Sequence, residues 1–278
     1  MLSTQFEEII QKRRSNRRYD PAVKVDDAII ERSLQRAILS PNSSNMQLWE
    51  FYWIKSEEEK QAFHQLCLGQ SAAKDTAHLV VFVTRQDLWK KRAAWNLKLV
   101  QDSIEGEPTK MQKRGLEYYG KLIPLLYRND IFGIATFIRW NICFWMGLRK
   151  PMMRFKGKSD QRVMVHKSCA LAAQTFMLSI AAEGFESCPM EGFDAKRVKK
   201  HLNLPAGAEI NMVISVGKGP EKPLIERIRN QYAMEILIKL EKGVALAAFK
   251  KQLREELDTL STKPAFKGVQ IIVDVDCN

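Results

Sequence analysis

The chain has 278 residues, 45% hydrophobic and 27% charged, enough to bury a large core and too apolar for a disordered or low-complexity protein. A formal charge of +12 and a sequence pI near 9.5 point to an anionic ligand, nucleic acid or an acidic membrane surface. Five cysteines without a Cys-x-x-Cys pair, and four histidines without close ligand spacing, argue for a reducing cytoplasm and against structural zinc.

The opening residues, Met1 to Glu8, have neither a basic start nor an apolar core, so they do not read as a secretory signal. Thr4 and Glu7 have capping-box spacing, and Phe6, Ile9 and Ile10 follow on one helix face. This helix delivers the basic run Arg13-Arg14-Ser15-Asn16-Arg17-Arg18. Guanidinium forks and a short hydroxyl suit phosphate, although a solvated helix end has the same composition. Asp26 or Asp27 then caps a second helix, with Ile29, Ile30, Leu34, Ala37 and Ile38 at helical spacing.

The loop Ser40-Pro41-Asn42-Ser43-Ser44-Asn45-Met46-Gln47-Leu48-Trp49 follows. Its short amides and hydroxyls after a proline can present several hydrogen-bonding groups to a polar planar ligand, or form an ordinary turn. Trp49 to Ile54 reads as a strand, Glu57 to Leu68 as a helix, and Leu79 to Val83 as a strand buried on both faces.

From Arg85 to Lys167, eighteen Lys and Arg stand against seven Asp and Glu, so this segment carries almost all the net charge. It also holds four of the six tryptophans and the apolar stretch Ile131 to Leu148. A membrane-spanning reading meets Arg139 and Asn141 on opposite sides of the helix, and a central arginine costs about 2.5–3.5 kcal/mol. A buried or lid helix, or one resting on an anionic bilayer surface, fits better. Nucleic acid is not expected, because the aromatics sit within apolar runs.

Val165 to Phe185 reads as a long small-residue helix capped by Gly184, with His166 in a structural role. A short strand, Ser187 to Pro189, leads into Met190-Glu191-Gly192-Phe193-Asp194, where Asp194 caps a helix and Phe193 staples onto Val198. Gly192 lets a ligand approach the backbone. Ile210 to Val216 is the next buried strand, followed by Arg227-Ile228-Arg229. In the tail, Leu246, Phe249, Leu253, Leu257 and Leu260 have near-heptad spacing, and Val269 to Val273 reads as a strand. Gly-x-Gly-x-x-Gly is absent, so a Rossmann site is not indicated.

Taken in order, these motifs resemble the nitroreductase family of FMN-dependent oxidoreductases. Arg13 to Arg17 looks like its first flavin motif, Pro41 to Trp49 its second, Pro189 to Asp194 its third, and Arg227-x-Arg229 the basic pair ending the core. Asn42 stands where serine is common and Leu48 where proline is common. The resemblance implies an α+β three-layer fold, a mainly antiparallel central sheet flanked by helices, an intertwined homodimer and a long helical insert. It divides the chain into a core of residues 1–86 and 162–232, an insert of residues 87–161, and an extension of residues 233–278 wrapping the partner.

By the same resemblance, Arg13, Ser15, Arg227 and Arg229 hold the FMN phosphate and ribityl chain, and Arg17 lies by the pyrimidine edge, where a cation favours the reduced ring. Pro41, Ser43, Ser44 and Asn45 come from the other subunit, and Arg14, Asn42 and Gln47 are further cofactor-binding residues of these motifs. Pro189 and Met190 lead to backbone N–H groups of Glu191 or Gly192 at the reactive edge, and Gln70 supplies a further polar contact. The implied activity is NAD(P)H-driven, ping-pong reduction of a nitroaromatic, quinone or activated alkene in the cytoplasm, with membrane-peripheral attachment through the insert. A flavin-binding sensor or scaffold, or a basic peripheral membrane protein without turnover, is the alternative.

Overall fold

The computed structural model describes residues 2–130, 132–155, 157–219, 226–228, 231–233, 251–256 and 259. The chain divides into two units, Met1–Glu221 and Lys222–Asn278.

The first unit is built on four antiparallel strands: β1 (Trp49–Ile54), β2 (His78–Arg85), β3 (Glu186–Met190) and β4 (Ala208–Gly217), in the order β1-β2-β4-β3. Alternation along β2 places its residues in two cores. Val80 and Phe82 pack with Phe176, Ile180 and Ile30 of helices α2 (Asp27–Ile38) and α9 (Lys158–Ala182). Leu79, Val81 and Val83 pack with Phe63, Ala73 and Val198 of α3 (Glu57–Leu66), α4 (Ser71–Lys74) and α10 (Ala195–His201). The result is helices, sheet, helices, the three-layer α+β arrangement that the motifs imply.

A bulge makes both cores possible on β4. Phe82 pairs with Met212 but Val83 pairs with Ile210, so Asn211 is an extra residue. Before it Ala208 and Ile210 face the α3 side; after it Met212, Ile214 and Val216 face the α9 side. One inserted residue reverses the facing of every residue beyond it.

Capping follows local chemistry. Asp26 accepts from Ala28 N–H at 2.9 Å, Ser56 from Glu59 N–H at 3.2 Å, and Asp194 from Arg197 N–H at 3.0 Å. Phe193 packs with the cluster containing Val198. Helix α1 (Leu2–Lys12) departs from its expected start: Thr4 lies inside it, and Glu7 accepts from Gln11 instead of closing a capping box. None of its residues is buried, and Phe6 and Ile10 remain 56% and 40% exposed.

Between the second and third motifs run α5 (Trp89–Asp102), α6 (Lys110–Glu117), a π-turn at Tyr118–Leu122, α7 (Ile123–Tyr127) and α8 (Ile134–Arg149). α5, α7 and α9 close a third core through Ala93, Ile123, Tyr127 and Val165, with Met46 and Leu48 of the loop inserted in it. The long helix α9 begins seven residues before the expected Val165 and ends near Gly184, whose φ of 83° only glycine adopts freely. It is long and apolar enough to cross a membrane by length and composition, but its apolar residues form the core against the sheet.

In the second unit, β5 (Glu226–Ile228) pairs antiparallel with β6 (Gln231–Ala233), and residues 251–256 are helical. Arg229, the rest of the heptad pattern and the expected strand Val269 to Val273 lie outside the described residues.

Candidate functional site

The first motif is fastened to the free edge of β3. Ser15 forms a parallel bridge with Ser187, and Asn16 N–H donates to Ser187 O at 3.3 Å. Tyr19 reaches across to Ser215 Oγ at 2.9 Å, and Asp20 N–H donates to Lys218 O at 2.7 Å. Burial pushes the Tyr19 phenol far above its ordinary range. Two glycines make this approach possible. A Cβ on Gly217 would lie 2.6 Å from the Tyr19 ring, and one on Gly219 would lie 1.8 Å from Asn16 Nδ2 and 2.7 Å from Arg18 O. With the backbone held, Arg14, Arg17 and Arg18 are exposed and Arg13 is half-buried. Among the described residues no carboxylate forms an ion pair with any of these four.

The third motif continues the same strand. Pro189 and Met190 pair with Ile214 and Val213 of β4, after which Glu191 and Gly192 leave the sheet exposed. Gln70 caps this turn from below: its Nε2 donates to Gly192 O at 2.5 Å and to Cys67 O at 3.1 Å. No acceptor among the described residues takes the Gly192 N–H. The first motif, the third motif and Gln70 therefore gather along one strand and its exit.

The second motif lies elsewhere. Arg85 N–H donates to Leu48 O at 2.9 Å, so the loop adjoins the Arg85 end of β2, whereas Ser15 and Ser187 align with Val216 and His78 at the other end. Seven residue steps of strand separate those ends, roughly 24 Å. Within one chain the loop and the first motif therefore lie toward opposite ends of the sheet, while β3 runs from the first motif toward the Arg85 end.

The loop's own form is unusual. Ser44, Asn45 and Gln47 all have positive φ, 57°, 48° and 47°, a concentration that needs external support in non-glycine residues. Asn42 Oδ1 accepts from Gln47 N–H at 2.8 Å, which ties the turn at a position where serine would be shorter. Leu48 is buried in the third core. Both departures from the family pattern thus shape the loop.

Its hydroxyls are less available than the sequence suggests. Ser44 Oγ pairs with Tyr118 OH at 2.6 Å, Ser43 Oγ donates to Met164 Sδ at 3.0 Å, and Ser43 N–H donates to Ser168 Oγ at 3.2 Å. Tyr119 OH donates to Ser44 O at 3.1 Å and Asn96 Nδ2 to Asn45 O at 3.0 Å. No local pattern signals Tyr118, Tyr119 or Asn96, which lie about fifty to seventy-five residues away. Beside the loop, Pro41, Asn42 and Ser43 line a cleft of about 530 Å³ with Met153, Lys167 and Leu171.

The remaining reactive side chains have structural partners. His166 contacts Glu209 at 3.1 Å and Asn211, the bulge residue, at 3.1 Å. Burial pushes the Cys67 thiol up to about 11 and that of Cys169 up to about 12, which leaves neither a ready nucleophile.

The comparisons with known proteins agree with this geometry. Protein DrgA of Synechocystis sp. (strain ATCC 27184 / PCC 6803 / Kazusa) is 27% identical over 213 residues, covering 76% of this chain and 83% of DrgA. The oxygen-insensitive NAD(P)H nitroreductase of Enterobacter cloacae is 23% identical over 211 residues, 73% of this chain and 83% of that protein. A structure from Exiguobacterium sibiricum 255-15 in complex with FMN superposes with a TM-score of 0.54 at 20% identity, covering 84% of this chain and 93% of that one. The model of the nitroreductase family matches residues 10–218, three quarters of the chain, and the chain belongs to that family.

Proposed function

We propose that the protein is an FMN-dependent oxidoreductase that takes electrons from NAD(P)H and gives them to a nitroaromatic, quinone or activated alkene, at a site completed by a second copy of the chain. The observation that carries this reading is the bridge between Ser15 and Ser187, which holds the basic motif on the strand that runs out into the Gly192 turn, with no carboxylate ion-paired to Arg13, Arg14, Arg17 or Arg18 among the described residues.

These residues fit FMN by donor type. A phosphate calls for charge-assisted forks and short hydroxyls, which Arg13, Arg14 and Ser15 supply. A polar ring calls for a cation and a backbone donor, which Arg17 and the Gly192 N–H supply. Arg227 lies on β5 in the second unit. When bound, FMN supplies the two-electron chemistry that no side chain here offers.

The protein's own part is binding and electrostatics. Arg17 favours added negative charge near the ring, and the Gly192 N–H fixes its orientation while Gln70 holds the Gly192 carbonyl. The Pro41 to Gln47 loop would hold the ring from a neighbouring copy, and the cleft beside it would take part of the cofactor or the acceptor. Two substrates that share one cleft must alternate, so the kinetic order is ping-pong. The E. cloacae relative's NAD(P)H nitroreductase activity supports this reading, as does the FMN of the E. sibiricum structure. Among the described residues, the buried free thiols of Cys67, Cys143 and Cys169 support a reducing cytoplasmic setting.

The test is to purify the protein, identify its released chromophore, and titrate it anaerobically with NADH and NADPH. Bound FMN, rapid bleaching by at least one nicotinamide, and parallel initial-rate lines with a quinone are the expected results. A colourless protein, or a yellow one that neither nicotinamide bleaches, overturns the proposal.

A further inference from the structure

The helix α8 is amphipathic in the reverse sense to a core helix. At 100° per residue, Phe137, Ile138, Trp140, Phe144, Trp145 and Leu148 fall on one continuous arc of about 160°, and all six are exposed. The one polar residue on that arc, Asn141, donates its amide to its own helix, at Phe137 O, 2.9 Å away. The opposite face is buried and holds Arg139 and Cys143. Arg139 donates to Leu125 O at 3.1 Å, Arg128 O at 2.6 Å and Asn129 Oδ1 at 2.9 Å. A polar anchor thus pins the helix to the end of α7 and turns its apolar side outward.

Positive charge predominates around this face, with Asp130 as the carboxylate that accepts from Ile134 N–H and Ala135 N–H at the helix start. Between Asp130 and Asp160 there is no acidic residue, while six Lys and Arg occur. Arg128, Arg149 and Lys150 are exposed near the ends of the helix, and Arg154 lies along its flank, donating to Cys143 O at 3.2 Å and Gly147 O at 3.4 Å. None of them interrupts the apolar arc, which is the arrangement of an element that lies in a bilayer interface: apolar side in the acyl boundary, cations at the anionic headgroups.

We infer that α8 docks the protein on the surface of an anionic phospholipid bilayer. Spanning is excluded by length, since sixteen residues reach about 24 Å against a hydrocarbon core of about 30 Å. Pairing of α8 on α8 in a second copy would set like charges together, which opposes that contact at low salt. Nucleic acid would require basic groups interleaved with the aromatics, and the arc has none. The inference is independent of the chain's redox chemistry.

The experiment is co-sedimentation of the full chain with phosphatidylcholine vesicles, with and without phosphatidylglycerol, at low and high salt. The native protein is expected to pellet with the anionic vesicles only, to be released by salt, and to show a blue shift of tryptophan emission on binding. Phe137→Glu with Trp145→Glu, both on exposed positions, is expected to weaken binding at least about ten-fold with an unchanged circular dichroism spectrum. Three results each overturn the proposal: no pelleting with either vesicle, equal pelleting with both, or undiminished pelleting of the double variant. Loss of self-association in the double variant, with no vesicle binding by the native chain, would instead assign the face to a second copy.

Discussion

His78 shows how partners fix a proton. Trp53 Nε1–H can only donate, so Nδ1 of His78 accepts it at 3.2 Å; Val25 O can only accept, so Nε2 carries the hydrogen at 2.9 Å. Protonation would put a second hydrogen against the tryptophan donor, in a side chain only 8% exposed. Burial is the chief cause that holds its pKa below the ordinary 6.5. Because the folded value lies below the unfolded one, the stabilisation is present above about pH 6.5 and is lost as pH falls through the folded value. Thermal unfolding is therefore expected to move to lower temperature from about pH 7 to pH 5, less steeply in His78→Gln. An NMR titration midpoint for His78 at or above 6.5 would contradict this. Nothing around His78 in the sequence signals the arrangement, since its partners lie 25 and 53 residues away.

At the scale of elements, the segment from α5 to α8 braces the Pro41 to Gln47 loop as well as covering part of the core. Three consecutive-region positive φ values are costly, at about 1–3 kcal/mol for each strained residue, and Tyr118, Tyr119 and Asn96 provide the hydrogen bonds that hold them. Replacing both tyrosines, Tyr118→Phe with Tyr119→Phe, removes two of those bonds while keeping the rings. At about 1 kcal/mol per bond, amide exchange at Ser43 to Gln47 is expected to quicken by roughly ten-fold or more. Exchange unchanged from the native protein would show that the loop keeps its shape by itself. The loop's composition was readable from the sequence, but its bracing was not: turn residues announce a turn, whereas a phenol reaching them from a distant helix leaves no local trace.

For the whole molecule, the separation between the loop and the first motif is decisive. The two lie toward opposite ends of the sheet in one chain, and Phe6, Ile10, Ile38, Leu39 and Leu171 are exposed apolar residues. Twofold pairing would bring one copy's loop to the other's basic edge. Light scattering is expected to give twice the 32.0 kDa chain mass. Leu171→Glu, which places a charge on exposed α9 surface beside the loop cleft, is expected to yield monomers and at least a ten-fold loss of FMN affinity together, the factor that about 1.4 kcal/mol represents. A monomeric native protein that still binds FMN tightly would refute the shared site.

The sequence alone determined what depends on neighbours along the chain. Short apolar runs marked β1, β2 and β4, the Asp26 and Asp194 caps marked two helix starts, and the order of the basic, Pro-Asn-Ser-Ser and Glu-Gly-Phe-Asp motifs marked the family. Only the tertiary structure decided that Gln70 joins Gly192, that Arg139 is sheltered by α7, and that the serines of the loop are held by the insert. Hydrophobic period and capping are encoded within a few residues, so they survive being read in one dimension. Hydrogen bonds across 75 or 122 residues depend on where the sheet places each element, and no local pattern records that.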